Sequence, residues 1–135
     1  MTERFAADVL ICGAGAAGLT LAIDLARRGV SFRLIEKMDH PFCGSRGKGI
    51  QPRTLEVYDD LGIIDAVHAA GGDYFPALAW DGPKPLGPAK FHRIEKREPT
   101  ADVPYPSMWM LLQPRALEIL RARLAGFGGG VEFGV

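Results

Sequence analysis

Residues 8–18 read D-V-L-I-C-G-A-G-A-A-G, and residues 30–36 read V-S-F-R-L-I-E. The first five residues are a short, mostly apolar run, the pattern of a strand buried on both faces of a parallel sheet. Gly13, Gly15 and Gly18 follow with the spacing G-x-G-x-x-G. Leu19, Ala22, Ile23 and Ala26 then recur at helical spacing, which predicts a helix over 16–28. Arg27 and Arg28 fall in its last turn, where the dipole favours cations, and Gly29 supplies the stop. Residues 30–36 alternate and end on an acid, as a second strand would. Strand, glycine turn, helix and strand make a βαβ unit with a right-handed crossover. The fold class expected is α/β: a Rossmann-like parallel sheet with helices on both faces and a small antiparallel β insertion.

Each glycine has a physical task. Gly13 permits the tight turn, Gly15 lets the main chain approach a pyrophosphate, and Gly18 lets the helix lie close on the strands. The free N–H groups and positive dipole at the helix start attract phosphates. The loop Gly13, Ala14, Gly15, Ala16, Ala17 and Gly18 is therefore a candidate dinucleotide cradle. Glu36 stands 18 residues after Gly18, near the ~20-residue offset of an acid that accepts hydrogen bonds from a ribose. Its charge would repel a 2′-phosphate, which disfavours NADP at this first site. The fingerprint alone does not separate FAD from NAD.

The whole chain is 135 residues, 47% apolar and 24% charged. That suffices for one ordinary domain and is too short for two well-developed ones. The composition also argues against a disordered chain. Sixteen basic residues balance sixteen acidic ones, so no excess of charge marks a nucleic-acid or anionic-membrane partner. Cys12 and Cys43 cannot build a disulfide framework or a four-cysteine zinc site. That usage fits a reducing cytoplasm. The most apolar run, residues 9–23, has 15 residues broken by three glycines, short of the roughly 20 that a membrane span needs. Glu3 and Asp8 interrupt any signal-peptide pattern, and the N-terminus reads as mature protein.

Further along, residues 37–51 read as loop. Pro52 opens a helix at its first position, with Leu55, Tyr58 and Leu61 on one face and Gly62 as the stop. Residues 63–70 read as a further helical turn or two. Residues 73–106 carry seven of the ten prolines and read as hairpin plus irregular loop. Apolar pieces remain at 77–80 and 90–94, and Asp81-Gly82-Pro83 is a turn able to join two antiparallel strands. Residues 108–112 read as a buried strand. Pro114 opens a helix over 115–124, with Leu117, Leu120 and Leu124 on one face, and a strand begins at 131–135.

Two later stretches narrow the reading: S-R-G-K-G-I-Q-P-R-T-L-E at 45–56 and L-Q-P-R-A-L-E-I-L at 112–120. With the glycine fingerprint ending in Glu36-Lys37, they match in order over nearly the whole chain. The sequence thereby resembles the class A flavoprotein monooxygenases, the aromatic hydroxylases of the para-hydroxybenzoate hydroxylase fold. The likeness is closest to members acting on phenols and aromatic polyketides. The resemblance implies FAD as cofactor and NAD(P)H as co-substrate, with hydroxylation of a small aromatic ring. It implies that Gly13, Gly15 and Gly18 hold the pyrophosphate and that Glu36, followed by Lys37, holds the adenosine ribose. Arg46 would lie near the phosphates or the flavin edge, and Gln113 would bond the cofactor's linker. It implies a division into an FAD-binding βαβ unit with its following helices at 1–72, the start of an inserted substrate-domain hairpin at 73–106, and a return to the FAD-binding part at 107–135.

The family's two later fingerprints are absent. Asp81-Gly82 and Gly72-Asp73 lack the right neighbours and read as turns. The chain therefore reads as the N-terminal portion of a longer protein, inactive alone, self-associating or dependent on a further C-terminal part. Alternatives are another FAD oxidoreductase, a dehydrogenase or halogenase, and a non-catalytic nucleotide-binding fragment. No catalytic residue is assigned. His40, His68 and His92 are scattered without metal-ligand spacing. Cys12 reads as a small buried residue and Cys43 as a loop residue. Arg53 and Glu56 read as an ion pair on one helix. Trp80 and Trp109 read as sheet core before cavity lining.

Overall fold

A computed structural model describes residues 7–74, 78–88 and 97–135. Strand β1 (Val9–Cys12), helix α1 (Ala16–Arg27) and strand β2 (Phe32–Glu36) form the expected βαβ unit. β1 and β2 run parallel, with Ile11 opposite Leu34 and Cys12 opposite Ile35. The last strand, Glu132–Phe133, adds in parallel to the other side of β2. Because all three strands point the same way, Cys12, Glu36 and Phe133 end on one edge of the sheet. In open parallel sheets, that carboxyl edge is where ligands bind.

Helical spacing buries one face of each helix. Leu19, Ala22 and Ile23 of α1 are wholly inaccessible, and Gly29, at φ +70°, ends the helix as expected. Helix α2 (Pro52–Asp60) starts on its proline. Its stripe of Leu55, Tyr58 and the following Leu61 is buried, and Gly62 turns the chain at φ +71°. Helix α3 (Ile64–Ala70) follows. Helix α4 (Gln113–Gly126) is longer at both ends than its sequence pattern predicts, and it packs along α1. Leu117, Leu120 and Leu124 sit in the shared core. Arg123 ties α4 to the α2–α3 turn by donating Nε–H to the Leu61 carbonyl at 2.9 Å.

Several expectations need correction. β1 is covered on one face only: Ile11 is 6% exposed but Leu10 is 60% exposed, and Cys12 is exposed where a buried residue was expected. Leu10 and Cys12 point away from the Ile11–Leu34 face, and no described helix covers their side. The segment 37–51 contains a short strand, β3 (Gly49–Ile50). Gly72-Asp73 is not a turn but strand β4 (Gly72–Asp73). Both pair antiparallel with β7 (Trp109–Met110), which joins them from between. The 108–112 run is thus a two-residue, half-buried strand: Leu111 is in the core and Trp109 packs against it, while Leu112 is 58% exposed. A Cβ on Gly71 would lie 2.3 Å from the Trp109 indole nitrogen, so β4 and β7 approach too closely for any side chain there.

The Asp81-Gly82 turn does join a hairpin, β5 (Leu78–Asp81) with β6 (Lys84–Pro88). Its return strand is 84–88 rather than 90–94. The prolines are tolerated because β6 pairs on one side only. The 90–94 piece and His92 lie outside the described residues. Trp80 on this hairpin is 58% exposed and is not core. The eighth strand, β8 (Glu132–Phe133), is held to β2 by a bidentate ion pair: Arg33 donates to both Glu132 carboxylate oxygens, at 2.9 and 2.6 Å.

Candidate functional site: a cleft at the carboxyl edge of the parallel sheet

The glycine turn lies where β1 gives way to α1. Gly13 takes φ +102°, and its N–H donates to the Ile35 carbonyl at 2.8 Å. A Cβ on Gly18 would stand 2.0 Å from the Gly13 carbonyl oxygen. No side chain fits between helix and turn, so Gly18 serves the fold. Gly15 differs. Its φ of −77° is open to any residue, and a Cβ there would meet nothing within 4 Å. The empty space beside Gly15 lies at the start of α1. That end has no side-chain cap and no acidic residue in its first turn. An uncapped helix start offers unsatisfied N–H donors and positive partial charge, the demand that an anion meets.

Glu36 closes the other side. Its Oε2 accepts the Ala14 N–H at 2.9 Å and its Oε1 accepts the Met38 N–H at 3.2 Å. The first of these bonds, then the second, holds the carboxyl below the usual glutamate range, because both favour the charged form. A carboxylate has room for about four hydrogen bonds. Two are used, so it keeps acceptor capacity for ribose hydroxyls.

Between them is a cleft of about 190 Å³ lined by Ala14, Gly15, Glu36, Arg46 and Gln113. That volume is below the ~300–1,000 Å³ of a whole small-molecule site, so it admits part of a dinucleotide. The start of α4 fixes the loop at 45–47: Gln113 Oε1 accepts the Arg46 N–H at 2.8 Å, and the Gln113 N–H donates to Gly47 at 3.2 Å. The Arg46 guanidinium lies 5.1 Å from the centre of the Phe42 ring. Arg27, Arg28, Arg33, Arg53 and Arg115 each face a carboxylate. Among the described residues Arg46 faces none. An open helix start, a cation without a counter-charge and a spare carboxylate suit the diphosphate and ribose of FAD.

The structure therefore brings Ala14, Gly15, Glu36, Arg46 and Gln113 together. Gly13 and Gly18 stand behind them as turn and packing residues. Ala16 and Ala17 face a neighbouring groove between α1 and α2, beside Leu21 and Val57. Lys37 is exposed and lies outside the cleft lining. Sequence reasoning missed Met38, Pro41, Phe42, Leu117, Arg121 and Phe133, which complete the lining. Leu117 and Arg121 could have been found, since they follow Gln113 at i+4 and i+8 on one helix face. Phe133 could not, because its place depends on β8 pairing with β2.

The remaining candidates have local partners. Trp109 donates its indole N–H to the Val67 carbonyl at 3.1 Å and packs edge-on against His68. Cys43 is exposed, its thiol directed to the Pro41 carbonyl. Arg53 pairs with Glu56 as expected. No group of three or more His, Cys, Asp or Glu among the described residues is placed to hold a metal.

The chain is 43% identical over 127 residues to a flavin-dependent monooxygenase of Mycobacteroides abscessus, covering 93% of this chain and 27% of that protein. It is 44% identical over 128 residues to 6-methylpretetramide 4-monooxygenase of Streptomyces rimosus, covering 95% and 22%. The chain thus spans about a quarter of the length of these relatives. Among solved structures, aklavinone-11 hydroxylase in complex with FAD and aklavinone superposes with a TM-score of 0.76 at 29% identity, covering 98% of this chain and 26% of that one. A family model described as FAD binding domain matches residues 6–135. With nearly its whole length matched in this way, the chain belongs to the FAD binding domain family.

Proposed function

We propose that this chain is the FAD-binding N-terminal part of an NAD(P)H-dependent flavin monooxygenase that hydroxylates an aromatic or polyketide-like substrate. The observation that carries the FAD reading is the Glu36 carboxylate, which bonds Ala14 at 2.9 Å beside an uncapped helix start. Similarity to relatives such as aklavinone 12-hydroxylase RdmE of Streptomyces purpurascens supports an aromatic polyketide as the substrate class. Bound FAD supplies the electron transfer and oxygen chemistry.

The chain's own residues bind and orient. Gly15 and the first N–H groups of α1, at Ala16 and Ala17, take the diphosphate. Gly13 and Gly18 hold that turn in shape. Glu36 accepts the ribose hydroxyls, and exposed Lys37 adds a positive charge near them. Arg46 adds a cation at the phosphates, and Gln113 holds the Arg46 loop in place. The division at 72/73 and 106/107 separates these binding elements from the hairpin that begins the substrate region. The 135 residues supply binding and no turnover, and turnover belongs to a protein of the relatives' length. We place that protein in the cytoplasm. No described helix is long and apolar enough to cross a membrane.

The test is flavin retention and reduction. A protein of the relatives' length that carries this sequence should purify yellow, with absorbance near ~450 nm from oxidised flavin. It should consume NADH or NADPH faster when an aromatic polyketide is added. A colourless protein that binds no added FAD would overturn the reading.

A further inference from the structure

Arg121 is absent from every stretch that carries the family resemblance, yet it lines the cleft. It stands on α4 eight residues after Gln113, about 12 Å along the axis at 1.5 Å per residue. Gln113, Leu117 and Arg121 therefore form one straight row on the cleft wall. The Gln113 end is fixed to the Arg46 loop. Two more lining residues, Met38 just after β2 and Phe133 at the end of β8, stand side by side, and the Gly134 N–H donates to the Met38 carbonyl at 2.9 Å. Arg121 is half-buried and, among the described residues, has no ion pair or hydrogen bond. Leu117, Met38 and Phe133 line the same cleft, so a cation with no carboxylate partner stands beside apolar walls and is available to a ligand.

We propose that Arg121 is a binding residue for the purine base of the dinucleotide, and that it sets the preference for that base. This rests on the cleft being the FAD site. The diphosphate belongs at the α1 start, near Gly15 and Arg46, so a cation two helical turns from Gln113 falls to the base end. A planar guanidinium can stack on a purine face and donate to its ring nitrogens. Leu117 and Phe133 supply apolar walls for the same ring.

The experiment is equilibrium titration of the full 135-residue chain with FAD, ADP and UDP. The proteins are wild type, Arg121→Met, Arg121→Lys and, as control, Gly15→Val. ADP and UDP share diphosphate and ribose and differ in the base. Loss of a charge-assisted contact should weaken FAD and ADP by about tenfold in Arg121→Met. UDP should weaken far less, so the preference for ADP shrinks. Arg121→Lys should recover only part of the loss. Melting temperatures should match wild type, since among the described residues the side chain makes no hydrogen bond or ion pair. Equal losses for ADP and UDP would make Arg121 a general phosphate cation and overturn the base assignment. Unchanged ADP affinity in Arg121→Met, with Gly15→Val impaired, would overturn the role of Arg121 alone. Unchanged affinity in Gly15→Val as well would overturn the FAD site itself.

Discussion

The Glu36 carboxylate accepts the backbone N–H of Ala14 at 2.9 Å, joining the end of β2 to the glycine turn across 22 positions of sequence. One side chain thereby does two jobs. It holds the turn that leads into α1, and it presents its remaining lone pairs to the cleft.

That bond makes the fold sensitive to acid. Two backbone N–H groups hold Glu36 below its ordinary pKa, the Ala14 bond contributing most. A group depressed in the folded state contributes stability that is present above its unfolded pKa and lost as pH falls through the folded one. Wild type should therefore lose stability below about pH 4 more steeply than Glu36→Gln, whose amide does not titrate. Thermal melts across this range check the point, and parallel acid slopes would show that the charge plays no part.

Two glycines of one fingerprint should behave oppositely. Gly18→Ala drives a Cβ to 2.0 Å from the Gly13 carbonyl oxygen, a backbone atom with little freedom to retreat. It should destabilise the chain by about 1–3 kcal/mol, as overpacking does. Gly15→Val enters empty space at an ordinary φ, so its stability should stay within about 0.5 kcal/mol of wild type. Its FAD affinity should still fall by at least about tenfold, because the side chain fills the ground the diphosphate needs. Urea unfolding beside FAD titration separates the two effects. A stable, fully binding Gly15→Val would contradict it.

The same contrast shows what the sequence discloses. The βαβ unit was legible because its signals are local: Gly13 is fixed by its turn and Gly18 by packing, Gly15 keeps their spacing with neither constraint, and Leu19, Ala22 and Ile23 follow the helical period. Glu36 was legible from its offset alone. The two-residue strands were not. β3, β4 and β7 are defined by one another's edges, and two residues carry no period to read. Cys12 was misjudged for a related reason. An apolar run marks a strand that could be covered on both faces, whereas the covering depends on what else packs there.

That one-sided sheet is itself testable. Leu120 of α4 is wholly buried, while Leu10 on the open face is 60% exposed. Leu120→Ala should cost about 2–5 kcal/mol, the usual range for a buried leucine. Leu10→Ser should change stability by no more than about 0.5 kcal/mol. Chemical denaturation of the two variants measures both. A large cost at Leu10 would mean that its face is covered in solution.

Gln113 offers the sharpest test of how the cleft is held together. Its side-chain oxygen accepts the Arg46 N–H, and its own N–H reaches Gly47. The first bond depends on the side chain; the second survives any substitution that keeps the helix. Gln113→Ala should therefore leave α4 intact and free only the Arg46 end of the loop. Losing one such bond should cost about 0.5–1.5 kcal/mol of stability. FAD affinity should fall further than that, because Arg46 is no longer held where the phosphates bind. Gln113→Glu keeps an acceptor for the Arg46 N–H but places a negative charge beside the diphosphate. It should retain stability and still lose FAD affinity, and added salt should restore part of that loss by screening the repulsion. If both variants bound FAD as wild type does, Gln113 would be a strut for the loop and nothing more.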